Sequence, residues 1–463
     1  MKIKVFPKNE RELTKLFVVL FPLVLILNFS VSFLRDSYFS FSNLLPHSEL
    51  LNYGFLSKLS NQSTYGILFA TSLALTFTYL FSKSLGRLII LFPLVFLTLI
   101  GLSGIETLDF LVSFFDSTKT YTLGNSSILL PLKLLIIFGL IGISSINILA
   151  KKEHSIFSSA QFLFGSLIFY FISLLVIRSG IEVFSDALLI NIVYTSTHIY
   201  VGTSFVYLAI LHFLMSRPLG AVIYSKTLTS ITFWGYLFLL PWTGFKYYYG
   251  SILPNWIENV SIYLSFSLII PLLAVTVNFV KTTQTKTTEN LTSLSLLNFS
   301  FVIFCITNIL HIVASYENLL PILGLTNFVN TISLGYVAAL TTAMISFTYY
   351  LVPKLFGRDI IFSKIEQTVF FIFKLGYFLH LVNNILIGIN TGYVWNAAAN
   401  AGSPALFGEG FSVVWNLIGF NYSLNIFTSL LLLLASLLFF VSVIRGVTSG
   451  PITTVEEMVT ANE

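Results

Sequence analysis

Charge is what this chain lacks. Only 9% of its 463 residues are Asp, Glu, Lys or Arg, where a soluble domain carries about 25%. With 56% hydrophobic residues and a mean hydropathy of +0.89, that shortfall excludes a soluble globular protein. Cysteine is almost missing as well. Cys305 is the single copy and lies in an apolar run, which excludes a disulfide framework, a thiolate metal site and an iron–sulfur cluster. A lone buried cysteine is ordinarily a small core hydrophobe. The formal charge of +5 is spread among short polar stretches, so it reads as a topology signal and not as a nucleic-acid surface. No internal repeat and no soluble domain stand out, and residues 1–463 read as one membrane domain.

What the chain has in abundance is long apolar runs. A span needs about 20 apolar residues, and runs of that kind lie near 13–34, 63–82, 88–105, 129–150, 160–178, 186–214, 228–249, 260–280, 293–315, 327–353, 367–390 and 423–445. The expected fold is therefore all-α, a polytopic bundle of twelve transmembrane helices in a lipid bilayer. The first run is too long for a signal peptide and has no small-residue cleavage site. Of the Lys and Arg residues assigned to loops, seventeen fall on the side of both termini and five on the other. By the positive-inside rule both termini face the cytoplasm, in what reads as a prokaryotic plasma membrane. The segments 35–62, 106–127 and 391–422 are expected as outer loops, the last turn-rich at Gly402, Pro404, Gly408 and Gly410. Residues 446–463 are expected as a short cytoplasmic tail.

Ionisable groups inside a bilayer are expensive and mark a site by default. The stretch 191–256 carries His198, His212 and Lys246 in apolar surroundings. His198 and His212 are 14 residues apart, about 40° short of whole helical turns and roughly 21 Å along the axis. They share one face at two depths, a spacing that two stacked b haems could use if facing helices supplied partners. The plainer reading makes His212 a hydrogen-bonded residue between helices. His311 and His380 sit on other spans, where each can bond across helices. Lys374 can lend charge to an internal polar path, and Lys133 can do likewise or simply snorkel. Lys246 lies among Phe245, Tyr247, Tyr248 and Tyr249, and an aromatic belt with a snorkelling lysine is one account of it.

The same stretch resembles the sixth and seventh spans of the catalytic subunit of haem–copper oxidases, closest to the cbb-type cytochrome oxidases and nitric oxide reductases. HIYVG at 198–202 is similar to the motif whose histidine binds the active-site copper. SILPNW at 251–256 resembles the loop after the seventh span, YYLVPKLFGR at 349–358 the end of the tenth, and GYVWNA at 392–397 the end of the eleventh. The resemblance implies two haems and a copper or iron held by six histidines: one early in the second span, one in the sixth, an adjacent pair in the seventh and a His-x-His in the tenth. Of these, only His198 is a histidine here. Thr64 stands near the second-span position, Lys246 and Tyr247 near the seventh-span pair, and Thr331 and Ser333 at the tenth-span pair.

Ser and Thr hydroxyls do not replace imidazole at a haem iron, and one imidazole is too little for copper. The expectation is an oxidase-like scaffold of oxidoreductase ancestry without haem or copper, serving as a structural or conduction partner of other respiratory membrane subunits. The alternative is a b-haem electron-transfer protein, or an active terminal oxidase or nitric oxide reductase subunit, with altered ligation by His198, His212, His311 or His380. Lys246 and Tyr247 are expected to fill the chamber the metals would occupy, with Thr331, Ser333 and Tyr336 as acceptors for the amine. His198 is expected to face the seventh and tenth spans.

Overall fold

The computed structural model describes residues 10–40, 53–85, 106–108, 129–150, 154–183, 193–216, 222–248, 254–284, 291–323, 328–358, 360, 364–401 and 405–450. Every element among them is a helix. Helix α1 is Glu10–Ser40, α2 Tyr53–Asn61 and α3 Phe69–Leu85; α4 is Leu129–Ala150 and α5 His154–Val183. Helix α6 is Thr203–Ser216, α7 Lys226–Leu239, α8 Asn255–Ser267 and α9 Ile269–Gln284. Then come α10 (Leu291–Val313), the short α11 (Leu320–Leu323), α12 (Phe328–Phe356), α13 (Lys364–Ala401) and α14 (Ala405–Ser449). Eleven of the expected spans coincide with helices. The run at 88–105 lies outside the described residues. Eight described helices, or helices in series, are long and apolar enough to cross a membrane.

Two spans form the centre. The most apolar 18-residue stretch of Thr195–Ser216 is wholly buried and that of Asn330–Phe356 is 94% buried, against 39–56% for the other long spans. Their sequences explain this. TSTHIYVGTS and TISLGYVAALTTAMIS are rich in Gly, Ala, Ser and Thr, the small residues that let helices approach closely where lipid gives apolar packing no advantage. Gly335 shows how close: a Cβ there would stand 2.2 Å from the Thr307 hydroxyl of α10. Around the centre, α13 packs along α14, α14 along α1, α10 along α12 and α5 along α6.

Several helices depart from the regular α form where the site residues lie. Gln62–Leu68, between α2 and α3, and Thr195–Gly202, leading into α6, are π-helical, a form that recurs at functional sites. The seventh span does not stay α-helical to residue 249. Pro241 supplies no N–H and clashes with the preceding turn, so α7 stops at Leu239 and gives way to 3-10 turns at Leu240–Trp242 and Phe245–Tyr248. Ser261 of α8 splices the break, accepting from the Lys246 N–H at 2.8 Å and donating to the Trp242 carbonyl at 2.6 Å.

The expected outer loop at 391–422 is corrected. Helix α13 runs on through the alanine-rich NAAANA to Ala401, and α14 begins at Ala405, with Gly408 and Gly410 inside it. Alanine is the strongest helix former; Gly402 and Pro404 lie outside the described residues. Helix α14 continues to Ser449, past the 446 at which the tail is expected; residues 451–463 lie outside the described residues.

Candidate functional site

The sixth span divides its polar residues between two faces. The His198 ring stacks on Tyr170 of α5 (4.6 Å between centroids, 28° between planes), tilts against Tyr194 and meets the edge of Phe69. Its Nε2 lies 2.8 Å from the Tyr65 carbonyl of the first π segment, Gln62–Leu68. His212 stacks on Phe162, also of α5, at 4.7 Å, with Nδ1 2.8 Å from the Leu208 carbonyl. The two histidines thus share the α5-facing side, as their spacing implies. The other face carries Tyr200, edge-on to His311 at 4.9 Å and 5.6 Å from Tyr336, and Tyr207, stacked on Phe304 at 4.7 Å.

That division corrects the expected heading of His198. The ring is buried inside the bundle, 1% exposed, but faces the second and fifth spans and not the seventh and tenth. An aromatic slot and a laterally exposed π-helix carbonyl hold it there. Ser166 of α5 caps the Gly202 carbonyl of the other π segment in the same way, at 3.0 Å.

Lys246 is fully buried, so it does not snorkel. The 3-10 turns swing it back toward the end of α10, where Nζ donates to the His311 carbonyl and the Ser315 hydroxyl, both at 2.6 Å. The acceptors therefore come from the ninth span and its C-terminal turn, and not from Thr331, Ser333 or Tyr336. Nζ also lies 5.2 Å from the centre of the Tyr247 ring, which sits 6.5 Å from His311. Tyr236, Phe304 and Tyr336 close the chamber. Several polar atoms there have no hydrogen-bond partner among the described residues: both ring nitrogens of His311 and the hydroxyls of Tyr200, Tyr207, Tyr236 and Tyr247. Tyr200 approaches Ser333 and Tyr247 without reaching hydrogen-bond geometry. Thr331 is buried two residues before Ser333 at the start of α12.

Thr64 belongs to a different place. Its hydroxyl donates toward Asn28 Oδ1 (2.7 Å) and the Ser60 carbonyl (2.8 Å), and Ser63 shares the same Asn28 oxygen at 2.8 Å. Thr64 and Tyr65 line a cleft of about 60 Å³ between α1, the first π segment, α12, α13 and α14. His380 lines it from α13, its Nδ1 2.9 Å from the Thr428 hydroxyl of α14. Arg35, paired with Asp36 at 2.7 Å, stands at the cleft as well. Asn383, one turn beyond His380, donates to Asn425 and to the Asn421 carbonyl, both at 2.7 Å. The six positions carried over from the oxidases are thus split among cleft, slot and chamber. The four histidines lie apart from one another, except that His198 and His212 share a helix face.

Sequence reasoning missed one cluster. Lys133 and Glu106 form a buried ion pair at 2.9 Å, and Tyr170 donates to the same carboxylate oxygen at 2.7 Å. A Cβ on Gly66 would stand 2.7 Å from Glu106 Oε2, so the bare glycine makes room for the acid. The available signal was an acid ending one apolar run and a lysine opening the next. Lys374 bonds Ser295 of α10 at 2.5 Å.

No family model matches the chain. A curated relative, the Cbb3-type cytochrome c oxidase subunit CcoN1 of Stutzerimonas stutzeri, is 23% identical over 205 residues, which is 42% of this chain and 42% of the relative. The matched stretch thus spans less than half of that protein. A solved haem–copper terminal oxidase, determined as a dimer by cryo-electron microscopy, superposes with a TM-score of 0.69 over 96% of this chain and 85% of its own, at 12% identity. Fold and sequence agree: the chain is an integral membrane protein of the haem–copper oxidase subunit I-like type.

Proposed function

We propose that this chain works without haem or copper, as a structural or conduction partner of other subunits in a respiratory membrane assembly. The observation that carries this reading is Lys246, whose amine is tied to His311 and Ser315 where the resemblance puts a pair of metal-binding imidazoles. The donor set elsewhere supports it. Thr64 spends its hydroxyl on Asn28 and Ser60, and hydroxyls are no substitute for imidazole at a haem iron. Among the described residues no group of three or more His, Cys, Asp or Glu could hold a metal ion. These residues do not fit a haem–copper centre.

The test is an absorption spectrum and metal analysis of the purified chain. The expected result is no Soret band, no stoichiometric copper or iron, no turnover of oxygen or nitric oxide, and stable co-purification of other respiratory subunits. One observation favours a second reading. His380 has Nδ1 beside the Thr428 hydroxyl and lines the cleft, and metal-binding imidazoles are commonly oriented by such a partner. A stoichiometric b-type haem that is lost on His380→Ala would replace the metal-free reading with electron transfer. The orientation is part of the proposal, resting on the Lys and Arg distribution. In a plasma membrane with both termini inside, a cysteine placed at position 58 is labelled from outside and one at 285 only from inside; the reverse pattern refutes it.

A further inference from the structure

The chamber around Lys246 is unusual in the kind of hydrogen-bonding groups it leaves over. An ammonium has three protons to donate. Two of those on Lys246 are taken by a backbone carbonyl and a serine hydroxyl, both neutral. No carboxylate lies within 4 Å of Nζ among the described residues. The groups packed around it include donors that find no acceptor among the described residues. Among the described residues the Tyr200 and Tyr247 hydroxyls have no hydrogen-bond partner, and neither nitrogen of His311 has one, so in either tautomer one imidazole N–H and one ring lone pair are unused. Tyr200 and His311 are fully buried and Tyr247 is 8% exposed. A buried polar group without a partner costs about 1–3 kcal/mol, and native proteins leave few of them. Here the unused donors, two phenolic O–H groups and one imidazole N–H, stand near an amine that has no carboxylate within 4 Å among the described residues.

We propose that the Lys246 chamber binds a small monovalent anion, held by the Lys246 ammonium and by hydrogen bonds from Tyr247, Tyr200 and His311. A cation and neutral donors buried together suit a single negative charge that accepts several hydrogen bonds, and such charge-assisted bonds are the strong ones. The low-dielectric surroundings strengthen the attraction. A divalent or bulky anion would exceed the one available charge and the space between close-packed rings. The proposal rests on the metal-free reading, since a metal in the chamber would itself be the anion's partner.

The probe is azide, titrated into the full chain in detergent micelles, with gluconate replacing it at constant ionic strength as the bulky control. Binding is read from the infrared stretch of bound azide and from the shift in melting temperature, with haem and metal content measured on the same sample. The expected result is a saturable bound-azide band in metal-free protein, with no matching effect of gluconate. Affinity should fall about tenfold in Tyr247→Phe, the loss of one hydrogen bond to a charge, and saturable binding should vanish in Lys246→Met. Tyr247→Phe keeps the ring, so it decides the matter even if the lysine variant does not fold. Metal-free protein with no bound band, or with a band that Tyr247→Phe leaves unchanged, overturns the proposal alone. A Soret band that shifts with azide overturns the metal-free reading and the proposal together.

Discussion

The chamber and the cleft lie on opposite faces of α12, and they have been treated differently. The chamber is closed by large rings: Tyr200, Tyr207, Tyr236, Tyr336 and Phe304 are all buried and lie within about 6 Å of a neighbouring ring. The cleft keeps its space because small side chains hold it open, among them Ser32, Ser60, Thr64, Ala338 and Ser429. Its polar groups are also paired, Arg35 to Asp36, Thr64 to Asn28 and His380 to Thr428, whereas several of those in the chamber have no partner among the described residues. One scaffold thus combines a filled region rich in unused donors with an open region whose hydrogen bonds are made. Ring volume gives tight packing, but only matched partners satisfy a phenol, and the chamber has the first without the second.

Steric substitutions on the two faces of α12 should break this comparison most visibly. Gly335→Ala puts a methyl group 2.2 Å from the Thr307 hydroxyl and 2.8 Å from its Cγ2, in the contact that seats Tyr336 against α10. Overpacking of this kind costs about 1–3 kcal/mol. Ala338→Val, one turn further on, grows into the cleft and should cost less than about 1 kcal/mol, because its new methyls meet open space. Thermal unfolding of both variants in the same detergent measures the difference. Equal losses would mean that the cleft is packed as tightly as the chamber.

Much of the fold was legible because apolar run length sets span number in a bilayer regardless of packing detail. The same periodicity put His198 and His212 on one face of the sixth span, and the structure keeps them there. What the sequence did not yield is where that face points. A π turn and an aromatic slot sent His198 toward Tyr170, and neither leaves a mark in hydropathy. Lys246 was recognised as unusual, but its acceptors were sought on the tenth span because the resemblance puts the metal chamber between the seventh and tenth. Pro241 and Gly244 were the available warning. Glu106 and Lys133 escaped pairing because each sits at the end of a different run, and only tertiary packing brings them together. The outer loop read at 391–422 failed for the opposite reason: glycines were weighted above the alanines that carry α13 to residue 401.

The smallest effect is also the sharpest, because it should differ in sign between the two regions. Tyr377 lines the cleft, and its hydroxyl is 2.5 Å from that of Thr341; Tyr200 lines the chamber with a hydroxyl that bonds nothing among the described residues. Replacing Tyr377 by Phe strands the Thr341 hydroxyl of one partner and should destabilise by about 1 kcal/mol or a little less, the usual worth of an interhelical hydrogen bond in a bilayer. Replacing Tyr200 by Phe keeps the ring contacts with His311 and Tyr336 and deletes a buried hydroxyl that pays desolvation for no bond. With gluconate as the only anion, that change should be neutral or stabilising by up to about 1 kcal/mol. Azide should then reverse the order, since wild-type protein gains stability from a bound anion by mass action and Tyr200→Phe gains less. Unfolding of the two variants with and without azide reads all of these differences. Destabilisation of Tyr200→Phe in gluconate equal to that of Tyr377→Phe would show that the Tyr200 hydroxyl has a bonding partner, and the contrast between chamber and cleft would fail at that residue.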